Sequence, residues 1–231
     1  MTFKELSKYL QELENTSSRL KITELLSDLF KKADQSEIDK IVYLILGELG
    51  PSYKNIVFNI ADKMMEEALA KAYGVERTEV HRLYKEKGDM GEVALSLNKN
   101  KTSSTSVSDI YEQFMKVSEY GGEGSQEEKI NGMASLLKEL DTESSKFASR
   151  IPIGKLRLGF SEKTIIDALS WMERGDKSGK PALEKAFIVL PDVGILAKEV
   201  KKMGIEKASI QIEPQVGIPI QPMLAQRLKS P

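Results

Sequence analysis

The sequence predicts an all-α fold, and three observations predict it. Apolar residues recur at helical spacing along almost the whole chain. No stretch alternates with period two, apart from a short candidate strand at residues 210–212. Glycine, proline and Ser/Thr clusters fall between the periodic runs and not inside them. At 231 residues the chain can bury a real core, either as one large domain or as two lobes of about 100 residues each. With 40% hydrophobic and 30% charged residues it is a globular chain and not a disordered tail.

Taken in order, Phe3, Leu6, Leu10 and Leu13 mark the first helix. Leu20, Ile22, Leu25, Leu26, Leu29 and Phe30 mark a second. Ile38, Ile41, Val42, Ile45 and Leu46 mark a third, ended by Gly47 and the Gly50-Pro51 pair. Residues 56–73 read as one strong helix closed by Gly74, and residues 78–87 as another closed by Gly88. Asp89 reads as the cap of a helix beginning at Glu92. Residues 98–106 (NKNKTSSTS) form a polar loop, after which helical periodicity resumes at Val107, Ile110, Tyr111 and Phe114. From residue 213 the prolines at 214, 219, 222 and 231 give an extended connector, as if the chain were cut from something longer.

The two halves repeat each other. An offset of 108 carries Phe3 and Leu6 onto Tyr111 and Phe114, and Ser17, Lys21 and Ile22 onto Ser125, Lys129 and Ile130. Gly47 and Leu49 match Gly154 and Leu156; Asp62, Lys63, Ala68 and Leu69 match Glu162, Lys163, Ala168 and Leu169. Asp89, Gly91, Val93 and Ala94 match Asp192, Gly194, Leu196 and Ala197. The shared order argues for a duplicated helical unit, with residues 1–106 as a first lobe, 107–212 as a second and 213–231 as a linker.

Composition narrows function by exclusion. Lys+Arg 34 against Asp+Glu 35 gives no overall pull toward nucleic acid, so polyanion binding requires cations gathered on one face. The absence of cysteine excludes disulfides and thiolate metal sites and fits a reducing compartment. His81 is the single histidine and falls inside a helix, so it reads as a packing or surface residue and not as a catalytic base. The longest apolar run, residues 41–46, is too short for a bilayer, and the amphipathic N-terminus carries both charge signs, unlike a signal peptide.

One segment supplies the missing face. Residues 150–163 (RIPIGKLRLGFSEK) set Arg150, Lys155, Arg157 and Lys163 around Gly154 and Gly159, with Glu162 the one opposing charge. The cations suit phosphates, and the glycines let backbone approach them. Ser18 with Arg19, and Gly124 with Ser125 followed by Lys129, precede helices whose starts either take a hydroxyl cap or accept an anion. Gly88 and Gly91 frame a tight interhelical turn. No helix rich in base-reading side chains and no aromatic row for stacking stands out, so backbone contact independent of sequence is the favoured mode. As a stand-alone enzyme the sequence lacks paired catalytic groups, metal-ligand clusters or a phosphate loop. A helical protein-interaction scaffold is the alternative, although nine Met in helices are ordinarily core filler.

Four motifs then occur in order: KGDMGEVA at 87–94, GGEGSQ at 121–126, GKLRLG at 154–159 and GIPIQPMLA at 217–225. With them, the chain closely resembles the N-terminal DNA-binding domain of archaeal and eukaryotic-type ATP-dependent DNA ligases over essentially its whole length. The archaeal form is the nearer, because the helix opening TFKELSKYLQELENTSSRLK starts at the first residues. The resemblance implies a monomeric all-helical domain of two pseudo-symmetric lobes, gripping the minor groove of nicked duplex DNA in the cytoplasm, at the nucleoid, of an archaeal cell. It implies that ATP and Mg²⁺ serve a following nucleotidyltransferase domain with a KxDG lysine. No KxDG occurs here, so no cofactor and no catalytic residue are expected of this chain. Some members carry a sliding-clamp motif in the interlobe loop; residues 98–106 have no aromatic residue, so clamp binding is not expected by that route.

Overall fold

In the computed structural model, residues 1–156 and 158–222 are described. Among them are twelve α-helices, a single 3-10 turn (Ser52–Lys54) and no sheet, as the periodicity predicts. The first six are α1 (Phe3–Glu14), α2 (Arg19–Lys32), α3 (Ile38–Leu46), α4 (Asp62–Tyr73), α5 (Arg77–Lys87) and α6 (Met90–Leu97). The second six are α7 (Val107–Glu119), α8 (Ser125–Glu139), α9 (Thr142–Arg150), α10 (Glu162–Arg174), α11 (Lys180–Val189) and α12 (Val193–Gln211). No described helix is long and apolar enough to cross a membrane.

The duplication is visible in local chemistry. Thr2 and Ser106 each open a helix with a reciprocal capping box, to Glu5 and Asp109 respectively. The two starts lie side by side: the Phe3 amide donates to the Thr105 carbonyl at 2.9 Å and the Val107 amide to the Met1 carbonyl at 3.1 Å. This fixes the register of the first repeated helix. Phe3, Leu6, Leu10 and Leu13 correspond to Val107, Ile110, Phe114 and Val117, all buried, so the offset there is 104 residues and not 108.

Tertiary packing exchanges the halves. α10 lies along α2 and α4 along α8; α12 lies along α3 and α6 along α9; α1 meets α9 and α7 meets α3. Each pair becomes its partner when every helix is advanced by six. Residues 1–106 and 107–212 are therefore not separate bodies: the early helices of each half pack on the late helices of the other. A single apolar cluster runs through both, from Phe3 to Ala208. Burial of this kind is non-directional, so it tolerates the exchange as long as each amphipathic face finds a complement.

Three local expectations are corrected. Residues 56–61 are not helical, and α4 begins at Asp62. Asn59 there, and Asn55 just before it, take left-handed backbone (φ 51° and 48°), which Asn tolerates better than most residues. Residues 210–212 are no strand: Ile210 and Gln211 end α12, Ile212 is its C-cap, and Ile210 is 79% exposed. α12 is broken at Gly204 (φ 81°), where Glu173 accepts the freed Ile205 amide at 2.7 Å. The polar segment 98–106 is pinned: the Asn98 and Asn100 side chains both donate to the Leu140 carbonyl, and the Thr142 amide donates to the Asn100 carbonyl. Residues 213–222 are neither helix nor strand; a turn forms at Gly217 (φ 88°), where the Ile218 amide donates to the Gln215 carbonyl at 3.1 Å, and the Gln221 amide donates to the Ile188 carbonyl at 3.0 Å.

Candidate nucleic-acid interface

Residues 47–60 and residues 151–154, the loops that follow the repeat-related α3 and α9, face each other across a groove of about 470 Å³. Gly47 and Leu156 bring the two loops to van der Waals distance: a Cβ on Gly47 would lie 3.9 Å from that of Leu156. Gly154 (φ 66°) and Gly159 (φ 74°) are exposed, and a Cβ built at either meets nothing within 4 Å. Their left-handed backbone needs glycine, and the space beside it is open to a ligand.

The expected cations divide sharply. Arg150 is 5% exposed and spends its guanidinium inside the protein: Nε donates to Asp89 Oδ1 at 2.9 Å and Nη1 to Glu14 Oε1 at 2.7 Å. Lys146, one helical turn earlier, pairs with Glu14 at 2.8 Å and Glu92 at 2.9 Å. Burial alone would raise the Asp89 carboxyl. Hydrogen bonds from Arg150 and the Glu92 amide outweigh it and hold the carboxyl below its ordinary value. Arg150 is a clasp between α9, α1 and the start of α6, not a phosphate contact. Lys129 is 5% exposed and donates to the Phe58 carbonyl at 2.6 Å; burial lowers its pKa.

Lys155 is the subtler correction. Its ammonium meets Asp62 Oδ1 and Oδ2, both at 2.8 Å, and the Tyr84 hydroxyl at 2.9 Å. Three donors meet three acceptors, so none is left over for a phosphate. Those hydrogen bonds, from Asp62 first and then Tyr84, raise its pKa. Lys129 and Lys155 thus hold the first-half segment 58–62 from the second half.

Other expected residues sit at the surface. Ser18 caps α2, its Oγ accepting the Lys21 amide at 3.4 Å, and Arg19 beside it is exposed. Ser125 does not cap α8: it is the first helical residue, and Gly124 (φ 82°) holds the cap position. Lys163 is exposed, in the first turn of α10. Gly88 closes α5 in left-handed backbone (φ 70°) and is exposed. Gly91 is buried, and its role is packing: a Cβ there would come within 2.7 Å of the Lys146 carbonyl and 2.6 Å of Arg150 Nε. Arg157 lies outside the described residues. Lys54, Asn55, Asn59 and Lys63, which the sequence reading leaves without a role, are also exposed around the first loop. The legible signal for them was the repeat itself, which sets Asn59 and Lys63 opposite Gly159 and Lys163.

Among the described residues no group of three or more His, Asp or Glu side chains is arranged to hold a metal ion. The chain is similar over nearly its whole length to known proteins. A family model described as the DNA ligase N terminus matches residues 2–170. The chain is 40% identical over 228 residues to a probable DNA ligase of Dictyoglomus thermophilum, covering 99% of this chain and 39% of that protein. It is 40% identical over 245 residues to a DNA ligase of Sulfurisphaera tokodaii, covering 100% of this chain and 41% of that one. Against a DNA ligase of Pyrobaculum islandicum the identity is 41% over 240 residues, covering 100% and 40%. The chain spans about two-fifths of the length of these relatives.

Proposed function

From a chain that belongs to the family of DNA ligase N-terminal domains, we propose a module that grips nicked duplex DNA through its sugar–phosphate backbone, across the minor groove and without sequence preference. The observation that carries this reading is the open left-handed backbone of Gly154 and Gly159 beside the interloop groove, with exposed Lys163 in the next helical turn. Backbone amides and a cation can meet a phosphate there without side chains intervening. Arg157, by its place in the sequence, joins this grip in our reading, as do Ser18, Arg19, Gly88, Gly124 and Ser125 at other helix ends.

In the parent ligase the module acts as a monomer and presents the break to a nucleotidyltransferase domain, which takes ATP and Mg²⁺ and seals the nick in replication and repair. No KxDG lysine occurs in this sequence, and among the described residues no group of three or more His, Asp or Glu side chains is arranged to hold a metal ion. Sliding-clamp contact, if the parent makes it, uses something other than the pinned, non-aromatic segment 98–106.

Fluorescence-anisotropy titration with nicked, intact and single-stranded DNA over a salt series tests the reading. Duplex binding with a steep salt dependence is expected, and Arg157→Ala should flatten the log–log slope by about one unit on every sequence. Equal binding to single strands, or none to duplex, would return the chain to the class of protein-interaction scaffolds.

A further inference from the structure

The two halves end their repeated unit differently. α6 and α12 each begin one residue after an aspartate cap, Asp89 and Asp192, but α6 has 8 residues and α12 has 19. After α6 the chain crosses to the next unit through the pinned segment 98–106. The matching place in the second half, from Lys201 onward, holds an added helical stretch with no counterpart in the first. There the chain leaves the duplicated core.

The added stretch does not run straight. Gly204 takes φ 81° and ψ 163°, a region open essentially to glycine alone, and divides α12 in two. Such backbone persists only where its surroundings over-determine it. Here α10 supplies the restraint. Glu173 accepts the freed Ile205 amide on Oε2 at 2.7 Å, and Arg174 beside it pairs with Glu206. Ile205 is fully buried in a notch over Gly179, where a Cβ would come within 2.7 Å of Ile205 Cδ1. Ser170 fixes that notch: its hydroxyl donates to the Asp176 carbonyl at 2.7 Å and accepts the Gly179 amide at 3.0 Å. Ala208, also fully buried, completes the seat. Beyond it the Gln221 amide returns to the Ile188 carbonyl in the last turn of α11. The arm is tied at both ends.

A tether free to swing needs none of these contacts, since a flexible linker reaches in many directions. We propose that Gly204 and Glu173 form a latched bend that folds residues 205–222 onto α10 and α11. The domain that follows in the parent ligase then leaves the second half in one fixed direction. An arm held in this way removes in advance part of the orientational freedom that two linked domains lose when they engage one ligand. The inference rests on membership of the family, whose relatives are much longer than this chain, and not on duplex binding.

The chain has no cysteine, so label pairs can be placed singly and cleanly. Spin labels at Lys138→Cys and Gln215→Cys span the bend, and labels at Lys138→Cys and Lys202→Cys stop short of it. All three positions are exposed. Double electron–electron resonance on the 231-residue chain should give one narrow distance for each pair. Glu173→Ala should abolish the narrow peak of the spanning pair and leave the other pair unchanged. Glu173→Gln, which keeps an acceptor oxygen, should preserve both. Gly204→Ala should shift the spanning distance, because alanine cannot hold that backbone. A broad spanning distribution in the parent chain overturns the latch, and so does a narrow, unshifted one in Glu173→Ala. Broadening of both pairs in Glu173→Ala overturns it too, since the second half is then loosened generally and not at the bend. No DNA enters the measurement, so failure of the latch and failure of duplex binding are told apart.

Discussion

The duplicated Asp-x-Gly sites show how one local design carries two different chemistries. In each, an aspartate caps a helix, Asp89 for α6 and Asp192 for α12, and a glycine two residues on clears space above the first turn. Into that space comes a side chain from the third helix of the other half. Arg150 from α9 reaches Asp89 Oδ1 at 2.9 Å, and Tyr43 from α3 reaches Asp192 Oδ1 at 2.5 Å. The cap amide lands on the same oxygen at 2.9 Å in both, from Glu92 and from Ile195. The first seat is ionic and extended, drawing in Glu14, Glu92 and Lys146. The second is fully buried and joined by phenols, with Asp192 at 0% exposure and Tyr53 on its other oxygen. The backbone plan of a duplicated unit is thus more constrained than the charge it carries, and cross-half contact can be made with either an ion pair or neutral donors.

The largest break in the comparison should come from Arg150→Ala. It strips the clasp from Glu14 and Asp89 and leaves a void, at a cost of about 3 kcal/mol, the low end for buried pairs because both carboxylates keep some water contact. Tyr43→Phe should cost less, about 1–2 kcal/mol, because Asp192 retains its Ile195 and Tyr53 donors. Denaturant midpoints at neutral pH compare them; equal losses would mean that the ionic character of the first seat is immaterial.

Overfilling comes next. Gly91→Ala presses a methyl against the Lys146 carbonyl, and Gly194→Ala drives one into the Tyr43 ring. Each should lose about 1–3 kcal/mol. The first is the harder to relieve, since backbone is met and not only a side chain. Arg150→Ala should recover little of the Gly91→Ala loss, whereas Tyr43→Ala should recover more of the Gly194→Ala loss, as read by double-mutant cycles.

The smallest effect is the dependence on pH, and it has opposite signs at the two seats. Glu14 and Asp89 are held below their ordinary values of 4.5 and 3.8, since bonds from Lys146 and Arg150 outweigh burial. Their stabilisation is complete above those unfolded values and is lost as pH falls through the lower folded ones. Tyr43 and Tyr53 are shifted upward by burial first and by Asp192 next, Tyr53 to about 12. That contribution is full below the ordinary phenol value of 10.0 and disappears as pH rises through the raised folded values. Urea unfolding across pH should show Arg150→Met flattening the acid limb and Tyr43→Phe the alkaline one. The same limb flattened by both would collapse the distinction.

Much of this was legible in the chain. The stripes Phe3-Leu6-Leu10-Leu13 and Val107-Ile110-Phe114 are buried as their spacing predicts, and Gly47, Gly74 and Gly88 end helices in left-handed backbone. The offset of 108 slipped in the first helix because Phe3 and Leu6 match Tyr111 and Phe114 in residue type, while the caps Thr2 and Ser106 fix the true register at 104. The basic segment 150–163 misled for a different reason. Counting cations in sequence cannot show that Arg150 meets Asp89, 61 residues away, or that Lys155 meets Asp62, 93 away.

The sequence by itself determined the helices, their caps and the repeat, because periodicity, capping and turn chemistry act over a few residues and are written contiguously. Only the tertiary structure decided which helices pair, that the halves exchange partners, and which lysines and arginines are spent. A cation is free or satisfied according to the acceptors that long-range packing brings within about 3 Å of it.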